Sequence, residues 1–100
     1  MVFMQIRISD FVLFQKDGSE HYTGYANYFG IERRSCIIRK TGKSFVVLVE
    51  DRGRWVQIGL FYPKKSEKVV GAKVYDLVGL IWTPEHTFHL VRDGNRFLGL

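Results

Sequence analysis

Few side chains in this sequence are suited to acid–base, nucleophilic or metal chemistry, and their spacing separates them. They comprise three histidines and one cysteine: His21, His86, His89 and Cys36. His86 and His89 are three positions apart, so on a strand their side chains point to opposite faces. One cysteine completes no zinc signature, and Cys36 is typical of a small apolar strand residue rather than of a nucleophile paired with histidine. We therefore predict a protein without catalytic residues, metal or cofactor.

Basic residues are the more prominent feature, and they are concentrated in the middle of the chain. Between Arg33 and Lys73 there are eleven lysines and arginines against three acidic residues, in a chain whose net charge is +5. They are Arg33, Arg34, Arg39, Lys40, Lys43, Arg52, Arg54, Lys64, Lys65, Lys68 and Lys73. Such asymmetry favours an anionic partner, nucleic acid first. The alternative is a solvated surface whose imbalance has no function.

Aromatic residues lie close to these cations along the chain. The rings that we select as candidates for stacking on bases are Tyr22, Tyr25, Tyr28, Trp55 and Phe61. The three tyrosines fall within residues 19–32, which are predicted as an ordered aromatic-rich loop or as a short helix capped by Ser19. Beside Arg33 and Arg34, such rings suit a single strand, whose unpaired bases stack while arginines contact phosphates. The alternative is that the rings pack inside the fold.

These residues must be positioned by strands, because the strongest pattern is a β-hairpin between Lys43 and Tyr62. The apolar run Phe45 to Val49 leads into a turn at Asp51 to Gly53 and then into a second strand. In that second strand, alternation assigns Val56, Ile58, Leu60 and Tyr62 to the core and Trp55, Gln57, Gly59 and Phe61 to the opposite face.

Further strands are predicted on both sides of this hairpin. Period-two alternation indicates strands over residues 2–9, 11–16 and 35–39, and Asp93-Gly94 indicates a hairpin within residues 87–100. We expect a mostly-β fold with at most one short helix. Its architecture is predicted as a small antiparallel barrel or a strongly bent meander sheet, SH3-like or OB-like.

The chain between the two hairpins is less regular. Pro63 to Lys68 is predicted as an exposed linker, because proline cannot donate to a strand ladder. Residues 69–82 are predicted as a bent or bulged strand pair, with a helix over residues 74–80 as the competing interpretation.

In an antiparallel meander, alternate turns share one end of the sheet. Thr41-Gly42, the Pro63 to Lys68 linker and Asp93-Gly94 are expected at the same end. That end then collects cations from several strands: Arg39, Lys40, Lys43, Lys64, Lys65, Lys68, Arg92 and Arg96.

Composition indicates one domain over residues 1–100, with 46% hydrophobic and 25% charged residues. The single cysteine fits a reducing compartment, and no apolar run is long enough for a signal peptide or a transmembrane helix. We therefore expect a cytoplasmic or nuclear protein without a membrane partner.

The functional prediction is a non-catalytic nucleic-acid-binding module that favours single strands. Its predicted binding residues are Tyr22, Tyr25, Tyr28, Arg33, Arg34, Arg39, Lys40, Lys43, Arg52, Arg54, Trp55, Phe61, Lys64, Lys65 and Lys68. The alternative is a protein-interaction or assembly domain, a homo-oligomer through edge strands or a subunit that binds an acidic protein. A small enzyme is the third possibility, and it requires a cleft in which His21, His86 or His89 meets a carboxylate.

Overall fold

The computed structural model describes the backbone of residues 11–16, 21–28 and 31–100, and the side chains of residues 21–27 and 33–100. Within these ranges every regular element is a β-strand. In chain order the strands are β1 (Phe11–Lys16), β2 (His21–Tyr28), β3 (Ile31–Thr41), β4 (Ser44–Asp51), β5 (Arg54–Val70), β6 (Lys73–Trp82), β7 (Thr87–Asp93) and β8 (Arg96–Gly99). The strand predicted over residues 2–9 lies outside the described residues.

The strands form one closed barrel in which each strand pairs with its neighbours in the sequence. All pairs are antiparallel, and β1 pairs with β8 through Phe14 and Phe97 to close the sheet. This up-and-down order confirms the prediction of a small antiparallel barrel built as a meander. In the described part of the chain, no helix is long and apolar enough to cross a bilayer.

Two segments predicted as irregular or helical are strands. Residues 21–28, expected as a loop or a capped helix, form β2 and pair along β3 from His21 opposite Arg39 to Tyr28 opposite Ile31. Residues 73–82 form β6, which excludes the alternative helix over residues 74–80. In both segments, cross-strand pairing overrides the weak local preference of a tyrosine- or glycine-containing sequence.

Two-residue turns join β3 to β4, β4 to β5, β5 to β6 and β7 to β8, and a longer turn joins β6 to β7. Three of the short turns begin with a glycine at positive φ: Gly42 (62°), Gly71 (62°) and Gly94 (63°). Because alternate turns share an end of the barrel, these three define one end, which we call the glycine end. The turn at Arg52 and Gly53 has positive φ at both residues, as in type I′, and lies at the other end.

The barrel interior is filled by alternate residues of the strands. The most completely buried side chains are Cys36, Ile38, Val47, Val49, Ile81, Leu90 and Val91. Tyr22 joins this interior near the glycine end, where its ring packs edge-on against Phe97 at a centroid distance of 5.4 Å and against Phe61 at 5.7 Å with a tilted geometry. Burial raises the pKa of the Tyr22 hydroxyl, although nearby Arg92 opposes the shift.

A β-bulge at Ile58 reverses the facing of β5 halfway along its length. Val47 lies opposite Gly59 while Leu48 lies opposite Gln57, which leaves Ile58 as the extra residue. An extra residue exchanges the two faces for everything that follows it. As a result Phe61 is buried (3% exposed) and Tyr62 is exposed (51%), the reverse of the predicted assignment.

β5 continues through Pro63, so the predicted linker at Pro63 to Lys68 is wrong. The strand has 17 residues and pairs with β6 as far as Val70 opposite Lys73. A second register shift between Pro63 and Ser66 accommodates the proline, as is usual for proline on a strand. Because β4 pairs with β5 only up to Phe61, the edge of β5 over residues 62–70 has no strand beside it among the described residues.

Candidate nucleic-acid interface

The outer surface of β5 and β6 carries three large exposed rings, and we call it the aromatic face. Trp55, Tyr62 and Trp82 are 49%, 51% and 48% exposed. Trp82 lies directly opposite Leu60, and Tyr62 is two residues further along β5, opposite Leu80. Diagonal neighbours of this kind are about 7–8 Å apart, within reach of aromatic side chains.

The face exists because of two neighbouring residues that point inward. Phe61 and Ile81 are a cross-strand pair, and both are buried in the core. Alternation then turns the next residue of each strand, Tyr62 and Trp82, toward solvent. Trp55 reaches the same surface from before the bulge, where it pairs with Glu50 near the turn at Arg52 and Gly53.

Basic residues lie on and beside this face, and the acidic residues next to it in the strand register are Glu50, opposite Trp55, and Asp51, opposite Arg54. Within the described residues, no acidic side chain forms an ion pair with Arg39, Lys43, Arg52, Arg54, Lys64, Lys65 or Lys68. A continuous row of cross-strand neighbours runs from Arg39 through Val46 and Leu60 to Trp82. Three strand spacings separate its ends, about 14 Å. Lys64 and Lys65 follow Tyr62 and Pro63 in the second bulge.

Other basic residues are held by carboxylates and are less available. Asp93 accepts a hydrogen bond from Lys73 at 3.2 Å and lies 3.7 Å from Arg96. This hydrogen bond and the charge of Asp93 raise the pKa of Lys73. Arg34 lies 3.6 Å from Glu50 and is half-buried. Of the cations expected to share one end of the barrel, Arg96 lies beside Asp93, and Lys64 and Lys65 lie within β5 rather than at a turn.

Two of the rings selected from the sequence cannot stack on a ligand. Tyr22 and Phe61 are 7% and 3% exposed and contact each other inside the barrel. This corrects their assignment to the binding surface: Phe61 turns inward because of the bulge, and Tyr22 because β2 is a strand rather than a loop.

Of the other predicted rings, Tyr25 lies on a part of the outer surface that is separate from the aromatic face. Tyr25 is 43% exposed on β2, and the guanidinium of Arg33 lies 5.3 Å from the centre of its ring. The backbone N–H of Arg33 donates a hydrogen bond to the side-chain oxygen of Asn27. The φ angle of Arg33 is 59°, which marks an irregular point of β3. The side chain of Tyr28 is outside the described residues. Lys40 is exposed near the glycine end.

A cavity of about 230 Å³ opens beside the aromatic face at the glycine end. It lies where β4 begins and β5 continues without a partner. Its lining consists of Lys43, Ser44, Phe45, Leu60, Phe61, Tyr62 and Pro63. The rings of Phe45 and Phe61, two of the lining residues, meet edge-on at 5.5 Å.

The histidines and the cysteine, the residues best suited to catalysis or metal binding, do not lie together in a cleft. His21 begins β2 at the glycine end, whereas His86 lies in the turn at the opposite end, where Thr83 and His86 bond reciprocally. Cys36 is 1% exposed, and burial raises the pKa of its thiol. Among the residues that the structure describes, no three histidine, cysteine or carboxylate side chains gather to hold a metal ion.

Tyr62 and Trp82 are the face residues that sequence reasoning missed. Alternation placed Tyr62 in the core, because a bulge at Ile58 leaves no composition signal. Trp82 was assigned to the apolar segment over residues 69–82 and was not considered separately. Its only sequence signal is its place between Ile81 and Thr83-Pro84, where a strand ends.

The chain matches no protein-family model, no curated protein and no solved structure. Fold and surface together therefore define it only as a small up-and-down β-barrel with an exposed aromatic face bordered by unpaired cations.

Proposed function

We propose that this protein is a non-catalytic module that binds single-stranded nucleic acid across the aromatic face. The observation that carries the proposal is the combination of Trp55, Tyr62 and Trp82 on one outer surface with lysines and arginines that lack acidic partners among the described residues. Exposed rings favour unpaired bases, since every base offers a flat face for stacking, and unpaired cations favour phosphates. Duplex recognition through a helix in the major groove has no support, because the described residues contain no helix.

The decisive experiment is fluorescence anisotropy with a labelled oligonucleotide of about 15 nucleotides, a length within the range that small β-barrels bind. We expect binding at low salt, and a loss of affinity of at least about tenfold for Trp82→Ala. Both tryptophans of the chain lie on the face, so their intrinsic fluorescence should also fall when bases stack on them. An oligonucleotide that fails to bind at low salt contradicts the proposal.

Arg96→Ala is the matched control for the removal of one positive charge. The Arg96 side chain is 60% exposed but already lies beside Asp93. Its replacement should therefore weaken binding less than Lys65→Ala, which removes an unpaired cation near Tyr62. Equal losses of affinity for both variants indicate a general effect of net charge rather than a defined surface.

The second candidate function is self-association or assembly, and a different surface favours it. Val69, Val70 and Val74 are 62%, 45% and 57% exposed on residues 66–75, a hairpin segment that we call the arm. The arm extends beyond the part of β5 that pairs with β4. It also extends beyond Asp76 and Arg92, the pair that ends the β6–β7 ladder. The apolar run Phe45 to Val49 is not available for such pairing, because it is paired on both sides within the barrel.

Light scattering coupled to size-exclusion chromatography tests this candidate. A stable oligomer that Val74→Lys converts to a monomer, while Val46→Lys does not, supports assembly through the arm. A monomer at all concentrations contradicts it and leaves the nucleic-acid proposal standing.

A further inference from the structure

The cavity beside Tyr62 is the strongest feature that the outer rings do not explain. It sits at a place where the barrel wall has a step: β4 begins at Ser44, whereas β5 runs on past Phe61 to Val70. The step leaves a recess that is lined by Lys43 and by the edge-on pair Phe45 and Phe61.

We propose that this cavity receives one base of the bound strand, an inference that rests on the proposed function. A base differs from a purely apolar ligand in having two flat faces and a polar edge. The ring of Phe45, which lines the cavity, offers a surface for one of these faces. Because β4 does not pair with β5 beyond Phe61, the open strand edge offers backbone groups to the polar edge of the base.

Charge and continuity favour a nucleotide over a neutral molecule in this cavity. Lys43 lines the cavity and is exposed, and within the described residues it has no acidic partner. Lys64 and Lys65 follow Pro63, which itself lines the cavity. Tyr62 belongs both to the cavity and to the aromatic face, so a strand lying on that face passes the opening. The volume of about 230 Å³ is below the range of about 300–1,000 Å³ typical of pockets for drug-sized molecules, which limits the occupant to a small group such as one base.

Filling the cavity tests the inference without removing a charge. Ser44→Phe places a ring in the recess but keeps Lys43, Tyr62 and the outer tryptophans. We expect its affinity for a thymidine oligonucleotide to fall by about 5- to 150-fold, which corresponds to one base that no longer stacks. Asn95→Phe is the matched control, because it adds the same ring at a turn outside the cavity and should leave affinity unchanged.

Amide chemical shifts of the unmutated protein provide a second measurement that does not depend on the variant folding. Titration with the oligonucleotide should shift Ser44, Phe45 and Tyr62 along with the residues around Trp82. Binding with shifts around Trp82 only, or with full affinity in folded Ser44→Phe, overturns the base cavity and leaves the proposed function intact. An oligonucleotide that does not bind the unmutated protein overturns both.

Discussion

At the scale of single residues, the interior depends on one glycine, Gly79, that lets an aromatic ring lie against a strand. A Cβ on Gly79 would collide with the ring of Phe61 and would lie 2.8 Å from the carbonyl oxygen of Tyr62. Neither group has room to move: the ring is buried in the core and the carbonyl belongs to β5. The absent side chain at Gly79 therefore leaves the space that the inward-facing ring of Phe61 occupies.

Gly79→Ala should lower the free energy of unfolding by about 1–3 kcal/mol, the usual cost of overpacking a core. Urea denaturation measures this change. Phe61→Leu removes part of the obstructing ring, so the double variant should lose less stability than the sum of the two single changes. Strict additivity would show that the two positions do not compete for space.

Arg52 combines backbone strain with a predicted role in binding. Its φ is 54° in the turn between β4 and β5, where the N–H of the following Gly53 donates to the carboxylate of Glu50 at 2.8 Å. Asparagine tolerates this conformation better than arginine, and Asn-Gly is the preferred pair for a type I′ turn.

Arg52→Asn should raise the free energy of unfolding by about 0.5–1 kcal/mol while it weakens oligonucleotide binding. Thermal denaturation and anisotropy on the same sample measure the two effects. Arg54→Asn is the comparison variant, since it removes a charge next to the turn at a residue without positive φ and should not stabilise the fold. A less stable Arg52→Asn protein contradicts the assignment of strain.

Cys36 should make the stability of the protein sensitive to alkaline pH. Burial raises the pKa of its thiol above the ordinary value of 9.0, so the folded state keeps a proton that the unfolded state releases. The folded protein therefore has its full stability below the pKa of the Cys36 thiol in the unfolded state, and it loses stability as the pH rises above that pKa. The stability of the unmutated protein relative to Cys36→Val should fall by about 1 kcal/mol between about pH 8.5 and about pH 10. A constant difference across that range indicates that the thiol ionises in the folded state.

At the scale of elements, the bulge in β5 decides which rings are inside and which are outside. It reverses the facing of one strand between Gln57 and Gly59. Phe61 can then complete the core while Tyr62 faces outward, and a regular strand of the same sequence would do the opposite.

Deletion of Ile58 should therefore place Tyr62 toward the interior and Phe61 toward solvent. We expect unfolding in urea to become non-cooperative, since Phe61 contacts both Tyr22 and Phe45 in the core. Ile58→Ala keeps the register and should only lower the midpoint of the transition. A cooperative, native-like deletion variant contradicts the role assigned to the bulge.

The same elements show what is predictable from the sequence. Glycine turns and alternation are local signals, so the hairpins around Gly53 and Gly94 and the all-β architecture follow from the sequence. Register is not local: the shifts at Ile58 and after Pro63 depend on the partner strands. The predicted core face of β5 is therefore correct at Val56 and reversed at Tyr62. The candidate site inherited this error, which is why Phe61 was selected and Tyr62 was omitted.

At the scale of the whole molecule, binding should separate into a contribution that depends on salt and one that does not. Cations that form no ion pair among the described residues lie on and beside the aromatic face, and each phosphate that they neutralise releases counterions. Stacking on Trp82 involves no net charge. The two contributions can therefore be removed independently.

Lys64→Gln with Lys65→Gln should reduce the slope of log affinity against log salt by about 0.7 for each phosphate that the variant no longer neutralises. Trp82→Ala should lower affinity at every salt concentration and leave this slope unchanged. Anisotropy titrations between about 50 and about 200 mM salt measure both quantities. If the slope changes equally in the two variants, the cations and the rings do not make separate salt-dependent and salt-independent contributions to binding.

The junction between the first and last strands governs how the sheet can assemble. The other strand pairs join neighbours along the chain, but Phe14 can meet Phe97 only after nearly the whole chain is in place. Because the entropy cost of joining two points grows with the length of chain between them, a curled open sheet should form first and the cylinder should complete last. β8 spans only Arg96–Gly99, so this late junction should also open most readily in the native state, and the hydrogens of its amides should exchange with solvent before those of β4.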